Sequence, residues 1–307
     1  MKSIAGYIKK YVYESDPLVF GVVSLFTGLL IWVNYRYGLD SQIADQNEFG
    51  SRLLGRWLVF FMAFAFPYAL SATRKPGSIP AAPGFFFLLI IAPAIFSAKA
   101  ALAINLHFSD NWVWDNYWNH IVYWPSLALM VACVLWVIWM AMDRAQPFYG
   151  ATTRTIDWKP YWVMLLIMVP LVAAASTQAD FLRMYPKLKL IAASQGLGDF
   201  SFGHKLLFEL AYGCDFVTIE LFFRGFLVLA FIKYAGKHAI LPMACFYCTI
   251  HFGKPLGECI SSYFGGIILG IVVFHTRSIV GGLMVHLGIA WLMELGGYLG
   301  NHWMRGG

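Results

Sequence analysis

Charge is what this chain lacks most. Only 12% of its 307 residues are Asp, Glu, Lys or Arg, while 60% are hydrophobic. A soluble globular chain carries about 25% charged residues. That shortfall excludes a soluble enzyme and reads as an integral, multi-pass membrane protein in contact with the lipid bilayer. The net charge is +6, but no run of basic residues forms a patch. Nucleic acid is therefore excluded as a partner, and anionic lipid headgroups fit the dispersed loop cations better. Cysteine is also sparse. Cys133, Cys214, Cys245, Cys248 and Cys259 all fall in apolar segments. Cys245 and Cys248 form a CxxC, yet no second pair stands at zinc-site spacing. These cysteines read as small residues at helix contacts, with no disulfide framework. No cleavable leader is expected. Met1 to Pro17 reads as an interfacial helix running into an uncleaved first span. There is no internal repeat of the kind that builds many transporters.

Long apolar runs are what the chain has instead. The expected fold is all-α, a single membrane domain over residues 1–307 with eight or nine spans. The first five spans are expected at about Leu18–Val33, Trp57–Ala72, Phe85–Ile104, Ile121–Met142 and Trp162–Ser176, the last broken by Pro170. The Trp-rich stretch Asn105–His120 reads as an interfacial loop. The connector Thr177–Lys205 has room for a short amphipathic helix. A sixth span is expected over about Leu206–Ile232, a short or re-entrant seventh over Ala239–Phe252, then Cys259–His275 and Ile279–Leu299. Lys and Arg are split too evenly between alternate loops to choose an orientation.

Ionisable residues are not spread evenly over these spans. The first five hold little beyond Lys99, which can snorkel to the headgroups. The later ones hold Glu209, Asp215, Glu220, Arg224, His251, His286 and Glu294. A charge at the bilayer centre costs on the order of 2.5–3.5 kcal/mol on insertion scales. Such residues therefore point to a buried polar site. Glu220 and Arg224 are four apart and share a helix face. Glu209 and Glu220, three turns apart, share a helix face, whereas Asp215 lies on a different one. Glu294, near a span end, reads as an interface residue. Glu220, His251 and His286 stand on three successive spans. A carboxylate and two imidazoles can activate water, as general base or by holding a divalent metal. A structural ion pair and two helix–helix hydrogen bonds are the other reading of the same residues.

Three segments carry a family resemblance. Glu220-Leu-Phe-Phe-Arg224-Gly225, Tyr247-Cys-Thr-Ile-His251 and His286-Leu-Gly-Ile-Ala290 resemble, in order, the EExxxR, FxxxH and HxxxN/D motifs of the CAAX protease and bacteriocin-processing family. That family, abbreviated CPBP or ABI, includes the type II CAAX prenyl endopeptidases. The resemblance covers 206–299 and implies a CPBP-like core there, with 18–176 outside it. It implies an intramembrane endopeptidase acting on a peptide or protein in or near the membrane, with Glu220, Arg224, His251 and His286 as catalytic residues. A divalent metal such as zinc stays open, with His251, His286 and Glu220 as candidate ligands; a metal-free site is the other option. The chain departs from the family at Ile219, where the first motif has its first glutamate, at Tyr247 for phenylalanine, and at Ala290 for Asn or Asp. Either Glu220 takes the base role, or Glu209 or Asp215 does, or the protein is an inactive relative serving in immunity or as a binding partner.

Overall fold

The structure is a computed structural model and describes residues 4–154, 156–191 and 200–305. Among the described residues every regular element is helical. In chain order these are α1 (Ile4–Glu14), α2 (Pro17–Tyr37), α3 (Leu39–Ala44), α4 (Phe49–Arg74), α5 (Pro83–Ala101), α6 (Trp112–Met142), α7 (Trp158–Ala175), α8 (Ala179–Met184), α9 (Lys187–Ile191) and α10 (Phe202–Ile219). A π-helix, Glu220–Ala230, continues α10. Then come α11 (Ile232–Ala235), α12 (Ile240–Thr249), α13 (Leu256–Thr276) and α14 (Val280–Arg305).

Seven of these helices are long and apolar enough to cross a membrane: α2, α4, α5, α6, α7, α13 and α14. The protein is a polytopic helical membrane protein. Two segments make the difference from the eight or nine spans expected. Helix α10 carries Lys205, Glu209 and Asp215 and is not apolar enough. Helix α12 has ten residues, about 15 Å at 1.5 Å per residue, half the thickness of the hydrocarbon core. All ten are buried. A helix too short to span is stable at depth when protein rather than lipid surrounds it. Helix α7 is the opposite case. Leu166 is 67% and Ile167 58% exposed, which water would penalise and acyl chains do not. Two expectations are corrected. The tryptophan-rich loop becomes helical from Trp112, so α6 is 31 residues long. Pro170 does not break its span, since α7 runs through it; neighbours in a membrane bundle can re-satisfy the freed backbone groups. The connector after α7 holds two short helices, α8 and α9, and its residues 192–199 lie outside the described residues.

Backbone contacts group the chain into two compact units. One comprises Met1–Leu102, Cys133–Thr155 and Leu221–Ile279; the other comprises Ala103–Ala132, Ile156–Glu220 and Val280–Gly307. In the first, α12 packs on α13, α4 and α2. Small residues permit this approach: a Cβ on Gly266 would lie 3.3 Å from Cα of Ala244. Phenylalanines fill the space behind it. Phe96 meets both Phe222 and Phe223 at 4.9 Å between ring centroids. Beyond the π-helix, Lys233 Nζ reaches Asp143 Oδ1 at 2.9 Å, and the Tyr149 hydroxyl donates to Asp143 Oδ2. That anchor fixes the end of the segment that begins at Glu220. In the second unit α14 packs on α7, α10 and α8.

Two predictions follow from this packing. A Cβ on Gly281 would fall within the ring of buried Tyr161. Gly281→Ala should therefore cost about 1–3 kcal/mol, as overpacking does, read as a lower melting temperature in detergent; an unchanged value would refute the close α7–α14 contact. His238 lies outside the spans. Burial, with the charges of Lys237 and Lys75, holds its pKa below the ordinary 6.5, against a smaller opposing effect of Asp16. The unfolded chain then takes up the proton more readily than the folded one. This stability is complete above pH 6.5 and is lost as pH falls through the folded value. His238→Gln should flatten part of the decline in melting temperature between pH 7.5 and 5.5.

Candidate active site

Helix α10 starts cleanly because Ser201 caps it, its hydroxyl accepting from the His204 backbone N–H. The helix delivers Glu220 to a position with no solvent exposure. Its backbone N–H still bonds back to Phe216. One carboxylate oxygen, Oε1, lies 2.9 Å from Nδ1 of His286 on α14. A carboxylate accepts only, so His286 Nδ1–H donates. That fixes the ring's tautomer and leaves Nε2 as the proton-accepting nitrogen of the neutral imidazole. The imidazole also meets the ring edge of Phe216, one turn before Glu220, at 4.9 Å between centroids. Glycine makes room for α14 here: a Cβ on Gly213 would already stand 3.4 Å from Leu287. Acid and imidazole, 66 residues apart, are thus brought into one charge-assisted hydrogen bond.

Arg224 and His251 belong to a second cluster, in the other unit. Arg224 is 1% exposed. Its guanidinium carbon stands 3.9 Å over the ring of Tyr247. The same ring meets His251 at 4.7 Å. His251 is in the turn after α12, and its Nδ1 lies 3.0 Å from the Tyr247 carbonyl. A carbonyl oxygen cannot donate, so Nδ1 carries the proton and Nε2 accepts. The turn is held from α2. Asn34, 4% exposed, donates to the Phe252 carbonyl at 2.9 Å, and Tyr35 donates to the Lys254 carbonyl. From sequence the two residues read only as part of an aromatic and basic interface anchor, Asn34 to Tyr37, at the exit of the first span. Nothing in a hydropathy pattern distinguishes a polar residue at a span end that faces water from one that holds a neighbouring turn.

The remaining candidates divide plainly. Glu209 is half-buried on α10 and Asp215 is partly buried one turn before Ile219. Glu294 corrects its expected place at the interface. It is 6% exposed, and its Oε2 accepts the Lys187 backbone N–H at 2.8 Å. It therefore ties α14 to the start of α9. The three departures from the family motifs are all buried: Ile219 is 8% exposed, Tyr247 4%, and Ala290, also 4% exposed, sits in an apolar cluster with Tyr212 and Phe216. Among the described residues no three His, Cys, Asp or Glu side chains are placed to hold a metal ion. The open ligand set of His251, His286 and Glu220 is accordingly not assigned to a metal.

A desolvated guanidinium over an aromatic face is worth about 2 kcal/mol or more. Tyr247→Leu should cost about that much in unfolding free energy, while Tyr247→Phe, which keeps the ring, should cost much less. Equal losses in the two variants would show that the ring face does not hold Arg224.

Comparison with known proteins bears on the same stretch. No curated protein and no solved structure matches the chain. Residues 206–292 match a family model described as type II CAAX prenyl endopeptidase Rce1-like. The match spans α10, the π-helix, α12, α13 and the first half of α14, and so contains all three motifs. Over these residues the chain is similar to the type II CAAX prenyl endopeptidases, which bears out the resemblance read from the motifs, and the protein is an integral, multi-pass membrane protein.

Proposed function

We propose that the protein is an intramembrane endopeptidase whose proton-handling pair is Glu220 and His286. The observation that carries the reading is the 2.9 Å hydrogen bond from His286 Nδ1 to Glu220 Oε1, made by a carboxylate with no exposure. Of the two side chains, His286 is the more accessible, with 14% of its side chain exposed. The imidazole is therefore the group that meets water, and Glu220 acts behind it. His286 Nε2 takes a proton as water attacks the scissile carbonyl carbon. The resulting imidazolium is stabilised by Glu220, which keeps its charge throughout. The same Nε2–H then protonates the departing amine as the C–N bond breaks. A new carboxyl terminus and a free amine result. Glutamate thus serves as orienter and counter-ion, the part a carboxylate plays beside a catalytic histidine in hydrolases of unrelated fold. The motifs add Arg224 and His251 to the catalytic residues; that assignment rests on sequence. The substrate class is a peptide or protein segment at the membrane, with a prenylated C-terminal peptide as the first probe.

A second reading is favoured by Ile219 and Ala290. The positions that carry in the family a glutamate base and an Asn or Asp that orients water or imidazole are here apolar and buried. The protein would then be an inactive relative that binds a membrane partner or acts in immunity.

The two readings separate in one experiment. Full-length protein, reconstituted in vesicles, is incubated with a farnesylated CAAX peptide and with its unprenylated form, and new amines are counted by mass spectrometry. Glu220→Gln and His286→Gln should each lower turnover about 10²–10⁴-fold. The double variant should be no worse than either single one, because the pair acts as a unit. Cleavage that survives both substitutions would remove the pair from the mechanism. A cellular or binding phenotype that survives Glu220→Gln would favour the scaffold.

A further inference from the structure

The CxxC noticed in the sequence pairs Cys245 with Cys248 by spacing alone. In the structure Cys248 has a different neighbour. Its Sγ lies 3.8 Å from Sγ of Cys259, across the α12–α13 contact, and both residues are fully buried. The two thiols are also set crosswise: Cys248 Sγ points to the Cys259 carbonyl at 3.4 Å, and Cys259 Sγ to the Cys248 carbonyl at 3.8 Å. Cys245 is engaged elsewhere, receiving the Thr27 hydroxyl at 3.2 Å. Helix α12 approaches α13 closely through Gly266 and Gly270, whose added Cβ atoms would crowd Ala244 and Met243.

We infer that Cys248 and Cys259 are a modification site: a reversible disulfide that staples α12 to α13 across the turn carrying His251. A disulfide needs its sulfurs at about 2 Å with compatible Cβ positions. The remaining gap is within reach of side-chain rotation between two helices already in contact. The turn 249–258 is the loop the bond would close. It is coupled to the pair directly, because the His251 backbone N–H bonds to the Cys248 carbonyl at 3.0 Å, the same carbonyl that faces the Cys259 thiol. Buried among apolar helices, the thiols are shielded from water-soluble thiol buffers. The oxidant that suits them is lipid-soluble, a quinone. The two thiols give up two protons and two electrons, the S–S bond forms, and the quinone becomes its quinol. Reduction by a dithiol reverses the step. The inference does not depend on the protein being a protease.

Membranes holding the full chain are treated with a fully substituted ubiquinone analogue, which cannot alkylate thiols. The protein is then denatured and labelled with N-ethylmaleimide. Untreated protein, with all five cysteines free, should take five labels. Oxidised protein should keep labels on Cys133, Cys214 and Cys245 only, show the 248 and 259 peptides linked with a loss of about 2 Da, and recover both labels after reduction. Amide exchange over 250–257 should slow on oxidation. Five labels after treatment, or a bond from Cys248 to Cys245, overturns the proposal. A linked pair with unchanged exchange overturns its role as a staple. Cys133→Ser/Cys214→Ser/Cys245→Ser repeats the measurement with the two cysteines alone.

Discussion

Everything in the C-terminal segment depends on keeping charge where lipid and protein exclude water. Glu220 has no exposure and Arg224 has 1%, in a chain that spends charge sparingly. An isolated carboxylate or guanidinium in such surroundings is too costly to keep. Each is therefore met by a group suited to it. The carboxylate receives a ring N–H from His286. The guanidinium lies over an aromatic face, a partner that its planar, weakly hydrated head suits better than an ammonium does. Glycine and phenylalanine supply the surroundings that make both pairings tight.

That constraint also accounts for the two helices that are not ordinary spans. All eleven residues of Glu220–Ala230 are buried. Apart from Glu220 and Arg224 its residues are apolar or glycine, the composition of a helix enclosed by protein. Its backbone is wound as a π-helix, a form rare at this length and often found at functional positions. It begins at the very residue that carries the acid. Helix α12 likewise gives up lipid contact and half the span's length. Its C-terminal end thereby stops within the protein, and the following turn, with His251, can be gripped by side chains from α2.

How much of this the sequence discloses depends on the kind of interaction. The membrane helices were legible because hydropathy is averaged over many residues, and Glu220 with His286 was legible because polar residues in apolar spans must find partners. The π-helix was not, since Glu-Leu-Phe-Phe-Arg-Gly-Phe has the composition of an ordinary helix. Neither was the placement of Arg224 over Tyr247: the same tyrosine, met in the sequence only as a departure from the family's phenylalanine, lies under the cation. Glu294 misled because a carboxylate near a span end looks exposed, whereas long-range packing buries it against the Lys187 backbone. The Cys248–Cys259 approach was hidden for the same reason. Spacing drew attention to the residue three positions away, while helix packing chose the one eleven positions away.

The apolar residues at 219 and 290 make a physical trade. Two adjacent glutamates in a water-poor site repel, and one must stay protonated or find its own cation. With Ile219 in place, a single carboxylate is left to compensate, and His286 does so by direct hydrogen bond. The site is cheaper to bury as a result. It is also poorer in groups that accept and return protons. In the proposed reaction the imidazole must therefore serve as base in the first half and as acid in the second, with Glu220 holding it in one tautomer for both. A histidine held by an unexposed carboxylate is suited to that double duty, because the ionic state that arises between the two halves is the one its partner stabilises.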